Sequence, residues 1–104
     1  MYFAMNRFRI ALGHEEAFEA IWKNRDSSLA ENPGFKDFRL LRGETVADEG
    51  YTVFVSSSIW NSHDDFVAWT KSENFRAAHR NAGDNRAMYI GPPKFEGFTV
   101  VDGA

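Results

Sequence analysis

"FKDFRLLRGETVADEGYTVFVSSSIW", residues 35–60, decides the fold, because it reads as two strands joined by one tight turn. "FKDFRLLRGE" and "YTVFVSSSIW" are each rich in aromatic and branched residues. The polar run "TVADEG" between them supplies turn chemistry through Asp48, Glu49 and Gly50. Alternation along the second strand sets Tyr51, Val53, Val55, Ser57 and Ile59 on one side. A hairpin at the centre of the chain raises the question of what flanks it.

Upstream, "ENPGF" ends an earlier element, since proline and glycine together stop a helix and turn the chain. That element is "HEEAFEAIWKNRDSSL", whose Phe18, Ile21, Trp22, Arg25 and Leu29 recur at helical spacing and form one stripe for burial. Glu15 and Glu16 stand in the first turn, where the helix dipole favours them. "YFAMNRFRI" (Tyr2–Ile10) ahead of it suits a strand, with Asn6 in its interior. Asparagine is unfavourable in a central strand, so Asn6 is either a bulge or turn residue or a placed amide.

Downstream, "NSHDDFVAWTKSENFRAAH" is helical and "FEGFTVV" is a last strand, separated by the loop "NAGDNRAMYIGPP". Loops of that length in a compact domain are usually functional or mobile. The order is β-α-β-β-α-β, which predicts an α+β, ferredoxin-like domain over residues 1–104 with a four-stranded antiparallel sheet and both helices on one face. The strands are apolar on both sides. Phe3 and Met5 alternate with Tyr2, Ala4, Phe8 and Ile10; Phe54 alternates with Val53 and Val55; Phe98 and Val100 oppose Phe95 and Val101. A second apolar face needs cover, so a homodimer joined sheet to sheet is expected.

Composition narrows the chemistry. Twelve Lys plus Arg against fifteen Asp plus Glu, with no run of one sign, argue against a nucleic-acid partner. The absence of cysteine removes disulfides, a thiolate nucleophile and Cys-based metal sites. No apolar run approaches the length of a membrane span, and "MYFAMNRFRI" lacks a signal-peptide layout, so the expected setting is cytoplasmic with no membrane partner. Ten Phe, three Trp and three Tyr are a heavy aromatic load for 104 residues. Some of these rings are expected to serve an interface or a flat apolar ligand.

The second helical region carries two start signals. Ser62 lies three residues ahead of Asp65, close to a capping box, and Ser72 heads Glu73 and Asn74. On an unbroken helix Trp69 and His79 would stand roughly 80° apart and about 15 Å along the axis. A break at Ser72 removes that objection by making two short helices, with Phe66, Trp69 and Thr70 on the first and Phe75 and His79 on the second. Read by composition and spacing alone, Trp69 and Phe75 are core rings and His79 is a half-buried helix histidine bonded to a carbonyl.

"WTKSENFRAAH" nevertheless resembles the tryptophan-to-histidine segment of the IsdG-type heme-degrading monooxygenases, within the antibiotic biosynthesis monooxygenase (ABM) superfamily of dimeric ferredoxin-like proteins. The resemblance extends to "AMNRF", "NPGF" and "FVSSSIW". It implies that His79 is the axial ligand of heme iron, that Phe75 helps to dry the cavity, and that Trp69 presses on a distorted porphyrin. It also implies that the Asn6 amide is a hydrogen-bond donor on the oxygen-binding side. Arg25, Arg76, Arg80 and Arg86 are available for the propionates, and nothing in the sequence selects among them. His14 and His63 read as solvated or capping residues, and Trp22 and Trp60 as packing residues.

The implied activity is oxidative opening of heme, with heme as both cofactor and substrate, dioxygen as oxidant and iron released. No flavin or nicotinamide motif is present, so the electron donor is expected to be a separate reductase. The loop from Asn81 to Pro93 is a candidate lid. Three other readings compete: a cofactor-free ABM monooxygenase of a polycyclic aromatic substrate, a heme-binding or storage protein without turnover, and a bare dimerisation module. The first would not need His79; the second would be indifferent to Asn6.

Overall fold

A computed structural model describes residues 1–24, 29–72 and 86–104. The strands are β1 (Tyr2–Ala11), β2 (Phe35–Val46), β3 (Tyr51–Trp60) and β4 (Lys94–Thr99); the helices are α1 (Glu15–Asn24) and α2 (His63–Thr70). The four strands form one antiparallel sheet in the order β2-β3-β1-β4. The expected ferredoxin-like βαββαβ fold is therefore the observed one. β2 runs to Val46, beyond the expected Glu44, and the turn tightens onto Ala47–Glu49, with Gly50 left-handed at φ 81°. β4 stops at Thr99, short of Val100 and Val101.

Register divides the side chains. Tyr2 faces Trp60, Asn6 faces Ser56 and Phe8 faces Phe54, so even-numbered positions of β1 and β3 share one face. That face carries the core, in two clusters. One holds Phe8, Ile10, Phe18, Phe54 and Met88, joined by Trp22, Leu40 and Tyr89. The other holds Tyr2, Ala4, Leu29 and Trp60, joined by Phe35, Phe38, Phe66 and Trp69. α1 reaches the first cluster through Phe18 and Trp22, and α2 reaches the second through Phe66 and Trp69.

The expected stripe on the first helix needs correction. Phe18 is fully buried and Trp22 half-buried, but Ile21 is 37% exposed. α1 ends at Asn24, whose side-chain amide donates to the Ala20 carbonyl, and Leu29 belongs to a separate short turn, Leu29–Glu31, in the other cluster. One α-helical stripe therefore does not link Phe18 to Leu29; Arg25 lies outside the described residues. The "NPGF" break is as expected. Gly34 has φ +83°, and a Cβ there would collide with the Asp65 carboxylate, so both conformation and space require glycine.

The entrance to α1 is fixed by Glu15. Its carboxylate accepts from the Gly13 amide and the Thr52 hydroxyl, both at 2.8 Å, and Thr52 is also 2.9 Å from the Thr45 hydroxyl. Thr52 is fully buried, so Glu15 ties the helix start to the sheet interior. Its own amide, then Thr52, and more weakly Gly13 and Arg42, hold the carboxyl below its ordinary range against a smaller opposing effect of desolvation. A depressed folded-state pKa gives stabilisation that is present above the ordinary carboxylate range and lost as pH falls through the folded value. Glu15→Gln is thus expected to lower the melting temperature at pH 7 and to differ less from wild type at pH 3. Parallel melting curves across that interval would refute the assignment.

On the opposite face, Phe3, Met5, Val53, Val55 and Ile59 are half-buried, and Leu41 and Phe98 are 45% and 50% exposed. The apolar second face expected from alternation is present. The later part of the loop from Asn81 to Pro93 differs from an open lid. Met88 is buried in the first cluster, Tyr89 bridges to Ile10, and the Ile90 amide donates to the Arg9 carbonyl at 2.8 Å. This part of the segment is tied to β1, and its earlier part lies outside the described residues.

Candidate functional site

Asn6 sits at the middle of central strand β1, in unbroken register with Ser56 of β3 on one side and Phe95 of β4 on the other. The bulge or turn alternative is excluded: β1 pairs regularly along its whole length with β3. Asn6 holds a regular ladder position on the helix-bearing face. Across the sheet its row reads Leu40, Ser56, Asn6, Phe95. The rows beside it contain Phe8 and Phe54 in one direction, and Ala4, Ser58 and Gly97 in the other.

This arrangement makes a low floor between two aromatic walls. Ala4, Ser56 and Ser58 are small, and Gly97 is overlain by Tyr2, whose hydroxyl occupies the space a Cβ would need. Phe18 packs on Phe8 and Phe54 at centroid separations of 5.3 and 5.0 Å. At the other end Phe66 lies 5.5 Å from Tyr2 and stacks on Phe95 at 5.6 Å and 12°. Asn6 and Ser56 belong to neither cluster, and their side chains make no hydrogen bond to one another or to other described residues. Ser56 is 5% exposed and Asn6 half-buried. No side-chain polar atom among the described residues is both buried and unbonded, so this polar pair stays reachable and is suited to a polar ligand atom.

Trp69 projects from the last turn of α2. Ser62 caps this helix, accepting from the Asp65 amide at 3.2 Å, as its spacing predicted. The helix ends at Thr70, and the Ser72 hydroxyl donates to the Trp69 carbonyl at 2.6 Å, so the first short helix ends where expected; the second one expected lies outside the described residues. The indole of Trp69 packs 5.5 Å from that of Trp60, which is fully buried and donates from Nε1 to Ser58 Oγ at 3.0 Å. Trp69 is half-buried, and Trp60 is its inner support. Trp60 itself is core, as expected.

Phe75 and His79 lie outside the described residues, as do Arg76 and Arg80. Of the remaining histidines, His63 sets its ring edge-on to Tyr2 at 5.0 Å, and His14 precedes α1, its carbonyl accepting from the Phe18 amide. No group of three or more His, Cys, Asp or Glu among the described residues could hold a metal ion. A hollow of ≈ 260 Å³ adjoins the polar row at Leu40, between α1 and β2. Trp22, Phe38 and Phe54 give it apolar walls, and Glu19, Lys23 and Arg42 its charges. Trp22 and Phe38 are stacked at 5.6 Å and 12°, and Arg42 is paired with Glu19 at 2.8 Å. No helix among the described residues is long and apolar enough to cross a membrane.

Ser56 was not singled out by the sequence reading. Its neighbourhood to Asn6 depends on the register of strands fifty residues apart (6 and 56), which no local pattern contains.

Known proteins share this architecture. The heme degrader MhuD of Mycobacterium tuberculosis, solved with two hemes bound in its active site, superposes with a TM-score of 0.72 at 24% identity, covering 97% of this chain and 96% of that one. SnoaB of Streptomyces nogalater, a cofactor-independent oxygenase, gives 0.66 at 24% identity, covering 97% and 93%. At that identity the likeness shows the fold alone. In sequence, the heme-degrading monooxygenase of Bacillus thuringiensis (strain Al Hakam) is 33% identical over 73 residues, 64% of this chain and 66% of the relative's length. The family model for antibiotic biosynthesis monooxygenases matches residues 1–81, and the chain belongs to that family.

Proposed function

We propose that this protein is a heme-degrading monooxygenase that binds heme on the helix-bearing face of its sheet and opens the porphyrin oxidatively with release of iron. The observation that carries the reading is the Asn6 amide, held in regular register on a central strand between two aromatic clusters and without a protein partner among the described residues. The sequence relatives named heme-degrading monooxygenase support it.

The donor set fits a heme in kind. Asn6 offers an amide donor, and the aromatic clusters supply flat apolar walls of the sort that hold a macrocycle and exclude water. His79 is the proposed axial ligand and Phe75 a proposed wall, both from the resemblance in sequence. Heme supplies the iron at which dioxygen is used and is itself the ring that is oxidised. The chain's own residues bind and orient. Trp69, braced by Trp60, would pack against the ring, Asn6 Nδ2 would donate to a polar atom of the bound group, and the reducing equivalents would come from a separate donor.

The proposed assembly is a homodimer joined through the face carrying Phe3, Met5, Val55, Leu41 and Phe98, where apolar side chains remain exposed to solvent in the single chain. A single-chain mass by light scattering at micromolar concentration would overturn that assembly. The proposed setting is the cytoplasm, where a reductase can reach the protein.

The function is tested by titrating hemin into the protein and following absorbance in air with ascorbate and catalase. A Soret band that grows to saturation and then decays, with iron passing to a chelator, is the expected result. A wild type that produces no Soret shift sinks the heme reading and leaves cofactor-independent oxygenation, the activity SnoaB is named for, as the reading to pursue.

A further inference from the structure

We propose that Ser56 is a second ligand-contacting residue of this site, its hydroxyl acting with the Asn6 amide on one polar atom of whatever occupies the distal side. The inference rests on the heme reading above and adds to it a residue and a way of recognising ligands. Ser56 and Asn6 are direct partners in the β1–β3 ladder, and both point to the helix-bearing face. Opposed side chains in such a ladder have Cβ atoms about 4.5–5.5 Å apart. One oxygen or nitrogen atom between the two side chains can therefore contact both.

The surroundings make that pairing selective. Leu40 and Phe95 close the row at either end, Phe8 and Phe54 stand in the next row on one side, and Ala4, Ser58 and Gly97 stand in the row on the other. The other serines of β3 are placed differently. Ser58 is engaged, accepting from Trp60 Nε1 at 3.0 Å and lying 3.4 Å from the Ala4 carbonyl; Ser57 points to the opposite face. Ser56 alone of the three shares a row with Asn6 on this face.

The two groups are chemically complementary. An amide offers two N–H donors and a carbonyl acceptor; a hydroxyl donates once and accepts twice, with a rotor free to follow its partner. Together they suit a small ligand atom that accepts hydrogen bonds, or one water with at least two polar partners. In a ligand-bound protein Ser56 would add a second donor and, through its lone pairs, keep the Asn6 amide turned toward the ligand.

Azide binding to the hemin-loaded ferric protein, followed by the Soret shift, tests this without relying on turnover. Ser56→Ala is expected to bind hemin as wild type does and azide roughly three- to tenfold more weakly, the change expected for one hydrogen bond. Ser56→Thr keeps the hydroxyl and is expected to stay within about twofold of wild type. Asn6→Ala combined with Ser56→Ala should lose less than the product of the two single effects, because both act on one atom. Equal azide affinity in Ser56→Ala and wild type, with hemin bound in both, overturns the role of Ser56 and leaves the heme reading standing. Failure of wild type to bind hemin overturns both, so the two failures are distinguishable.

Discussion

Asn6→Ala is expected to keep hemin affinity within about threefold of wild type while slowing heme turnover roughly a hundredfold, as loss of one preorganised donor does elsewhere. The reason lies in the strand. Asn6 occupies a regular ladder position between Ala4 and Phe8, where an apolar residue would fold at least as well. Its amide makes no hydrogen bond to the described residues, and no side-chain polar atom among them is both buried and unbonded, so the amide adds nothing internal to folding that alanine would lose. The same substitution should therefore leave the melting temperature unchanged or raise it slightly, since asparagine is disfavoured within a strand. Initial rates of Soret decay, with thermal melts of the apoprotein, provide both readouts. Turnover at the wild-type rate would remove Asn6 from the site, and a large drop in melting temperature would make it a structural residue.

Trp60→Ala is expected to cost about 3–5 kcal/mol of folding stability, a large share of the roughly 5–15 kcal/mol available to a domain of this size. Trp60 is fully buried and touches Phe35, Phe66 and Trp69, joining the start of β2 and α2 to the sheet. Its Nε1 also satisfies Ser58, which the truncation would leave without that donor. Trp60→Phe restores much of the volume but not the N–H, and should fall between wild type and alanine. Urea unfolding midpoints at constant m-value measure the effect. A loss below about 1 kcal/mol would show that the second cluster is held by its other rings. Because Trp69 leans on Trp60, the folded fraction of Trp60→Phe should also show an altered Soret position on binding hemin.

The turn at Ala47–Glu49, the break at Gly34, the cap at Ser62 and the helix end near Ser72 were all legible in the sequence. Each depends on side chains within a few residues, so a short window holds the whole signal. The two-sided apolar pattern of the strands was legible for the same reason, since a period of two is local. From these local signals came the α+β class and the ferredoxin-like order. The resemblance of "AMNRF" and "WTKSENFRAAH" to a known family then directed attention to Asn6 and Trp69.

Tertiary structure decided what local signals do not contain. Helical spacing placed Ile21 on the buried stripe, but the sheet accepts only Phe18 and Trp22 from α1, and Ile21 remains exposed. Composition made residues 86–90 a loop, yet Met88 and Ile90 are drawn onto β1 by burial and one backbone hydrogen bond. Residue type left a bulge at Asn6 open; the unbroken β1–β3 register removed the bulge and put Ser56 beside Asn6. Strand order and register depend on pairing between residues far apart in the chain, and a shift of one residue would have turned Asn6 and Ser56 to the other face.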